Sequence, residues 1–267
     1  MHTFGFIGTG NMGSALARAA AKALNKEEIL LSDSYAPVAE KLAQELGCEA
    51  VSVDTVAAKA KFVWLGVKPQ VMAAMLSGIA PTLAARTDDF VLVSMAAGVA
   101  MADIQKMAGG SYPVIRIMPN LPVSVSSGMI LYDATDNVSQ TDIDAFCENM
   151  RYSGRLDRLP EKLIDAGSAL SGCGPAFASL FVEALADGAV ACGLPRSQAV
   201  AYAAQTLAGT AKMILEKDMH PGQLKDAVCS PGGSTIAGVN VLEQGAFRAA
   251  CMEAVIAAYQ RTLELGK

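Results

Sequence analysis

Phe4-Gly5-Phe6-Ile7-Gly8-Thr9-Gly10-Asn11-Met12-Gly13-Ser14-Ala15-Leu16 is an apolar run that breaks into G-x-G-x-x-G and continues as an alanine-rich helix, Ser14 to Ala23. Strand, glycine turn and helix in that order are what a dinucleotide-binding unit needs. Gly8 permits the tight turn, Gly10 lets backbone approach a pyrophosphate, and Gly13 lets the helix pack on the strand. Thr9, Asn11 and Met12 complete the loop and join the glycines as cofactor-binding candidates.

Working outward, Glu28-Ile29-Leu30-Leu31-Ser32-Asp33-Ser34 reads as a second strand ending in polar groups, where the adenosine ribose of a dinucleotide belongs. Asp33 there would accept from both ribose hydroxyls of NAD and repel a 2′-phosphate, whereas Ser32 and Ser34 would donate to that phosphate. Both readings stand at this point. Further short apolar runs, Phe62–Leu65, Phe90–Val93 and Val114–Ile117, suit strands covered on both faces, with helices Pro37–Leu46 and Gln70–Ile79 between them. The alternation predicts a doubly wound, mostly parallel sheet, in which function collects past the carboxyl ends of the strands. Those ends read Gly66-Val67-Lys68-Pro69, Ser94-Met95-Ala96-Ala97-Gly98 and Met118-Pro119-Asn120-Leu121-Pro122. Val67, Lys68, Pro69, Ala96, Ala97 and Asn120 are therefore cofactor-binding candidates.

The 267 residues suggest two domains. A net charge of -5 with no basic cluster excludes nucleic acid as a natural partner. No charged leader precedes an apolar segment and no apolar run is read as spanning a bilayer, so a cytoplasmic protein is expected. The six cysteines, Cys48, Cys147, Cys173, Cys192, Cys229 and Cys251, have no metal-ligand spacing and read as reduced thiols, with no metal site. The two histidines, His2 and His220, leave no Ser-His-Asp triad or His-based metal site. The chemistry is one that proceeds without a histidine acid–base. Hydride transfer to an already cationic iminium fits that description.

A last strand to Leu159 ends the α/β pattern, and helical periodicity dominates from Glu161. The fold class is thus α/β: an N-terminal Rossmann domain at residues 1–157, then an all-α domain at 158–267. Ala169–Phe177 is a small-residue break between helices, Cys192-Gly193-Leu194-Pro195 a helix stop, and Arg196–Lys217 and Ala246–Leu265 two long helices. Helices apolar on several faces in so small a domain call for a partner surface, and a dimer is expected. Within this half, Cys229-Ser230-Pro231-Gly232-Gly233-Ser234-Thr235 opens a helix after Gln223–Val228. Unpaired N–H groups with hydroxyls beside them make a carboxylate-sized anion site, the other reading being an ordinary helix cap.

Taken together the chain resembles the pyrroline-5-carboxylate reductases over essentially its full length. The resemblance is carried by Phe6–Met12, Val67-Lys68-Pro69, Ser94–Val99, Arg116-Ile117-Met118-Pro119-Asn120, Leu170–Ala176, Asp187–Val190, Gly193–Arg196 and, most specifically, Leu224–Glu243. It implies a Rossmann domain, a helical dimerisation domain, active sites formed between two subunits, and NADPH- or NADH-dependent reduction of the cyclic imine L-1-pyrroline-5-carboxylate to L-proline, the last step of proline biosynthesis. Carried onto this sequence, the substrate carboxylate sits on the N–H groups of Gly233, Ser234 and Thr235, and catalytic Thr235 hydrogen-bonds the imine nitrogen. Asp33 departs from the family, many members being better furnished there for a 2′-phosphate. Two rivals are a 3-hydroxyacid dehydrogenase relative, which would want a helical-domain lysine near Ser171–Pro175, and a non-catalytic dinucleotide sensor.

Overall fold

The computed structural model describes residues 2–265. Strand and helix alternate as β1 (His2–Ile7), α1 (Asn11–Ala20), β2 (Ile29–Ser32), α2 (Ala36–Leu46), β3 (Glu49–Ala50), α3 (Val53–Lys59) and β4 (Ala60–Leu65). They continue as α4 (Pro69–Ala84), β5 (Val91–Ser94), α5 (Met101–Ala108), β6 (Val114–Met118), β7 (Gly128–Ala134), α6 (Gln140–Asn149) and β8 (Gly154–Arg158). Six helices complete the chain with no further described strand: α7 (Glu161–Ser171), α8 (Gly174–Ala191), α9 (Arg196–Lys217), α10 (Pro221–Val228), α11 (Ser234–Gln244) and α12 (Phe247–Leu265).

The eight strands form one sheet in the order β3-β2-β1-β4-β5-β6-β7-β8, parallel throughout except for the antiparallel pair β6–β7. Successive strands are added outward on one side of β1 up to β3 and then on its other side from β4, so the strand order reverses between β1 and β4, the switch point of a doubly wound fold. Side chains alternate across the pleat. Phe4, Phe6, Phe62, Trp64, Val91 and Val93 face α1, α2 and α6, where Phe146 joins them and Phe6 stacks on Trp64 with ring centroids 5.0 Å apart. Ile7, Leu30, Val63, Leu65 and Leu92 face α3, α4 and α5. A Cβ at Gly5 would lie 2.6 Å from Val56 Cγ1, so only glycine lets α3 sit so close to β1.

Several elements go beyond the sequence reading. Helix α1 begins at Asn11, directly on the glycine turn, rather than at Ser14. Helix α4 runs through Pro81 to Ala84, because Ile79 and Leu83 on either side of the proline are buried against the sheet. Strand β7 and helices α3, α5 and α6 were not foreseen. The chain divides into two compact units, one reaching Cys173 and including Ala258 onward, the other spanning Gly174–Ala257. Helical character starts at Glu161 as the periodicity indicates, but α7 packs under the sheet, with Ile164 against Met118 and Leu131.

In the helical unit α8 packs on α9, and Ala186, Ala199 and Ala203 are buried in the process. Most of its large apolar side chains remain exposed, among them Phe177, Leu180, Val200, Tyr202, Leu215 and Met252. One expectation is corrected: the helical stretch Glu161–Ala191 is long and apolar enough, by length and composition, to cross a membrane. Its apolarity comes from the Ala, Leu, Phe and Val of α8, in which only Ala186 is buried in the single chain.

Candidate active site

The glycine turn is built as its spacing demands. Gly8 has φ +98°, and a Cβ there would lie 2.6 Å from Gly66 O on the loop leaving β4. A Cβ at Gly13 would collide with Gly8 O, so α1 depends on glycine to approach the turn. Gly10, by contrast, has open space where a Cβ would stand. It is also the N-cap of α1, with no side chain capping the helix. The first-turn N–H groups therefore lack partners, and beside them lies room for a diphosphate, favoured by the helix dipole. A dinucleotide fits this cradle.

The remaining Rossmann candidates fall into three groups. Val67, Lys68 and Pro69 follow β4, with Lys68 exposed as the N-cap of α4, and buried Ala96 and exposed Ala97 follow β5. The Gly66 N–H donates to Ile7 O at 2.7 Å, which ties the β4 loop to the end of β1 at the switch point. Ser32 is buried and Asp33 half-buried at the end of β2. The Asp33 carboxylate turns back on the glycine loop, where Oδ2 accepts from the Thr9 N–H at 2.7 Å and the Thr9 hydroxyl at 3.1 Å. Its Oδ1 accepts from the Tyr35 N–H at 3.0 Å and the Ser34 hydroxyl at 3.4 Å. Burial alone would raise this carboxyl, but the bonds from Tyr35, Thr9 and Ser34 outweigh it and hold the group below its usual range. Asn120 is buried, and its side chain is committed within the fold: Nδ2 donates to Ser171 O at 2.9 Å and Oδ1 accepts from the Met129 N–H at 2.8 Å. It fastens the last turn of α7 to the loop after β6. Met12 packs its side chain on the core.

Sequence reasoning passed over two residues beside the glycine loop. Tyr35 and Lys41 line a groove of about 580 Å³ with Thr9, Gly10 and Asn11. The available signal was the helical repeat of α2, which sets Val38, Lys41, Leu42 and Glu45 on one face.

In the helical unit, Ser230-Pro231-Gly232-Gly233 forms a tight turn, with Gly232 at φ +68° and the Gly233 N–H donating to Ser230 O at 3.0 Å. Pro at the second position and a left-handed Gly at the third suit this geometry. Helix α11 then starts at Ser234 with Gly233 as N-cap and no side-chain cap. The structure differs from the sequence reading at one point, since Gly233 uses its own N–H inside the turn. The other reading, a side-chain helix cap, is not what forms: neither Ser234 nor Thr235 serves as the cap. What remains at the helix start are the partnerless first-turn N–H groups, including those of Ser234 and Thr235, beside two exposed hydroxyls.

Comparison with known proteins matches this division of labour. The family model for pyrroline-5-carboxylate reductase dimerisation matches residues 161–265, and that for NADP oxidoreductase, coenzyme F420-dependent, matches residues 3–98. The pyrroline-5-carboxylate reductase of Methanosarcina acetivorans is 41% identical, with 98% of this chain and 97% of that protein covered. Among solved structures, the Coxiella burnetii pyrroline-5-carboxylate reductase has a TM-score of 0.91 at 30% identity, covering 100% of this chain and 99% of that one. The Plasmodium falciparum pyrroline carboxylate reductase with NADP bound has a TM-score of 0.87 at 31% identity, covering 100% and 98%. With relatives this similar along its whole length, the chain belongs to the pyrroline-5-carboxylate reductase family.

Proposed function

We propose that this protein reduces L-1-pyrroline-5-carboxylate to L-proline with NADPH, closing proline biosynthesis in the cytoplasm. The observation that carries the reading is the uncapped start of α11, a set of free donors for a carboxylate in a chain that also carries a dinucleotide cradle. The N–H groups of Ser234 and Thr235 hold the substrate carboxylate, and the Gly233 turn fixes their direction. The Thr235 hydroxyl hydrogen-bonds the ring nitrogen and sets the angle of the imine. Gly8, Thr9, Gly10, Asn11 and Met12 form the turn that receives the diphosphate, while Val67, Lys68, Pro69, Ala96 and Ala97 border the dinucleotide at the strand ends. When bound, the reduced nicotinamide supplies the hydride that the C=N carbon of the imine, which becomes C5 of proline, accepts. The protein contributes orientation and electrostatics, and the cationic iminium needs no histidine to activate it. Purified protein is expected to oxidise NADPH in the presence of the fresh imine and to form proline stoichiometrically. Folded protein that binds nucleotide but stays at background rate would remove the assignment and favour the sensor.

The second part of the proposal is a homodimer built through the helical unit. Its support is the dimerisation family match to residues 161–265 together with the exposed Phe177, Leu180, Val200, Leu215 and Met252. Apolar side chains exposed in such number mark an association surface. Sedimentation of the full chain at micromolar concentration is expected to give a dimer or a multiple of it, and a stable monomer would refute this. We place the working boundary between nucleotide domain and dimerisation domain near residue 158, just before the family match begins at residue 161.

A further inference from the structure

The groove between α1 and α2 bears on which dinucleotide the protein selects. It opens from the glycine turn, has a volume of about 580 Å³, and is lined by Thr9, Gly10 and Asn11 at one end. Two cations reach it. Arg18 is already held by Glu45 through a paired contact, Nε to Oε1 at 2.6 Å and Nη2 to Oε2 at 2.8 Å. Lys41 forms no ion pair among the described residues and lines the same groove. Tyr35, 68% exposed, presents an aromatic ring at this site.

Asp33, the residue whose position favours a ribose diol, is used elsewhere. A carboxylate offers about four acceptor sites. Thr9 takes two of those on Asp33, and Tyr35 and Ser34 take the others, so the group acts as a strut of the glycine turn. Accepting two ribose hydroxyls would require giving up the bonds that shape the turn.

We propose that Lys41 is the residue that selects the 2′-phosphorylated dinucleotide, receiving the adenosine 2′-phosphate in the groove it shares with Tyr35. This deepens the reductase reading by naming the determinant of cofactor choice in that same site. A lysine ammonium is a compact charge on a flexible stem, suited to a phosphate without demanding a fixed fork geometry. Because Asp33 is saturated by hydrogen bonds, it makes no comparable claim on the ribose of NADH.

Calorimetric titration of the full protein with 2′,5′-ADP and with ADP tests this without any imine. Lys41→Ala is expected to weaken 2′,5′-ADP by about tenfold, the scale of one partly exposed charged contact, and to leave ADP unchanged. Lys41→Arg should keep most of the 2′,5′-ADP affinity, and the NADPH-to-NADH ratio of kcat/KM should fall in Lys41→Ala by the same factor. Unchanged 2′,5′-ADP binding, or an equal loss for both probes, would overturn the proposal. The probes report on nucleotide alone. Failure of imine reduction with Lys41-dependent 2′,5′-ADP binding would therefore sink the reductase reading and leave this one standing.

Discussion

Thr235→Ala is expected to lower kcat/KM for the imine by roughly 10- to 150-fold, the loss of one hydrogen bond to a charged group of about 1.5–3 kcal/mol. Nucleotide affinity and Tm should not move. The stability half of this expectation follows from the helix start itself: Gly233 is the N-cap of α11, no side chain caps it, and the Thr235 side chain is exposed. A capping threonine would cost about 1 kcal/mol of stability on removal, and here there is no cap to lose. Ser234→Ala provides the internal comparison. Its N–H remains as a carboxylate donor, so the change should cost much less. Thermal unfolding and steady-state kinetics on both variants decide the matter, and a destabilised Thr235→Ala with near-normal turnover would make the residue structural.

Asp165→Ala should produce a large loss of stability, because it strips a buried guanidinium of its short acceptor. Arg116 on β6 is 3% exposed, and its Nη2 donates to Asp165 Oδ1 at 2.6 Å. Its second contact, Nη1 to Glu161 Oε1, is longer at 3.4 Å, and Nε has no partner among the described residues. Glu161 Oε1 also accepts the Met101 N–H at 2.7 Å, and the Glu161 N–H donates to Asp133 Oδ2 at 2.8 Å. This network fastens the first turns of α7 to the sheet. Removing Asp165 leaves a buried guanidinium with its weaker acceptor only, at a cost on the order of 3 kcal/mol. The double variant Arg116→Met, Asp165→Leu replaces the pair by apolar groups and should recover much of that loss. Chemical denaturation of the three proteins checks both statements, and a single variant as stable as the parent would contradict them.

Much of the Rossmann unit was legible because its signals are local. The run Phe4–Ile7, the glycines at 8, 10 and 13, and the apolar strands at 62–65, 90–93 and 114–117 each carry their structure within a few residues. Strand β7 was missed because its antiparallel place beside β6, with Ile117 opposite Tyr132, is a long-range pairing that the segment Gly128–Ala134 does not announce. The same distance effect hides side-chain commitments. Asn120 stands where a dinucleotide ligand belongs, yet its amide holds Ser171, 51 positions along the chain. Asp33 reads as a ribose acceptor until Thr9 is seen to occupy it. At the α11 start the anion-binding pattern was legible, but the turn that consumes the Gly233 N–H depends on Gly232 taking a left-handed conformation. The lysine lining the groove beside the glycine turn drew no notice, since a single Lys41 on a helix face resembles any solvated lysine.

The proposed reaction needs both a dinucleotide cradle and an imine-carboxylate site, and this chain carries candidate residues for each. Its most direct test is reduction of L-1-pyrroline-5-carboxylate by NADPH deuterated at nicotinamide C4, with the product analysed by mass spectrometry and NMR. L-Proline carrying deuterium at C5 is the predicted result when the transferred face of the nicotinamide is labelled. Unlabelled product with either face labelled, or no proline from folded, nucleotide-binding protein, would contradict the account.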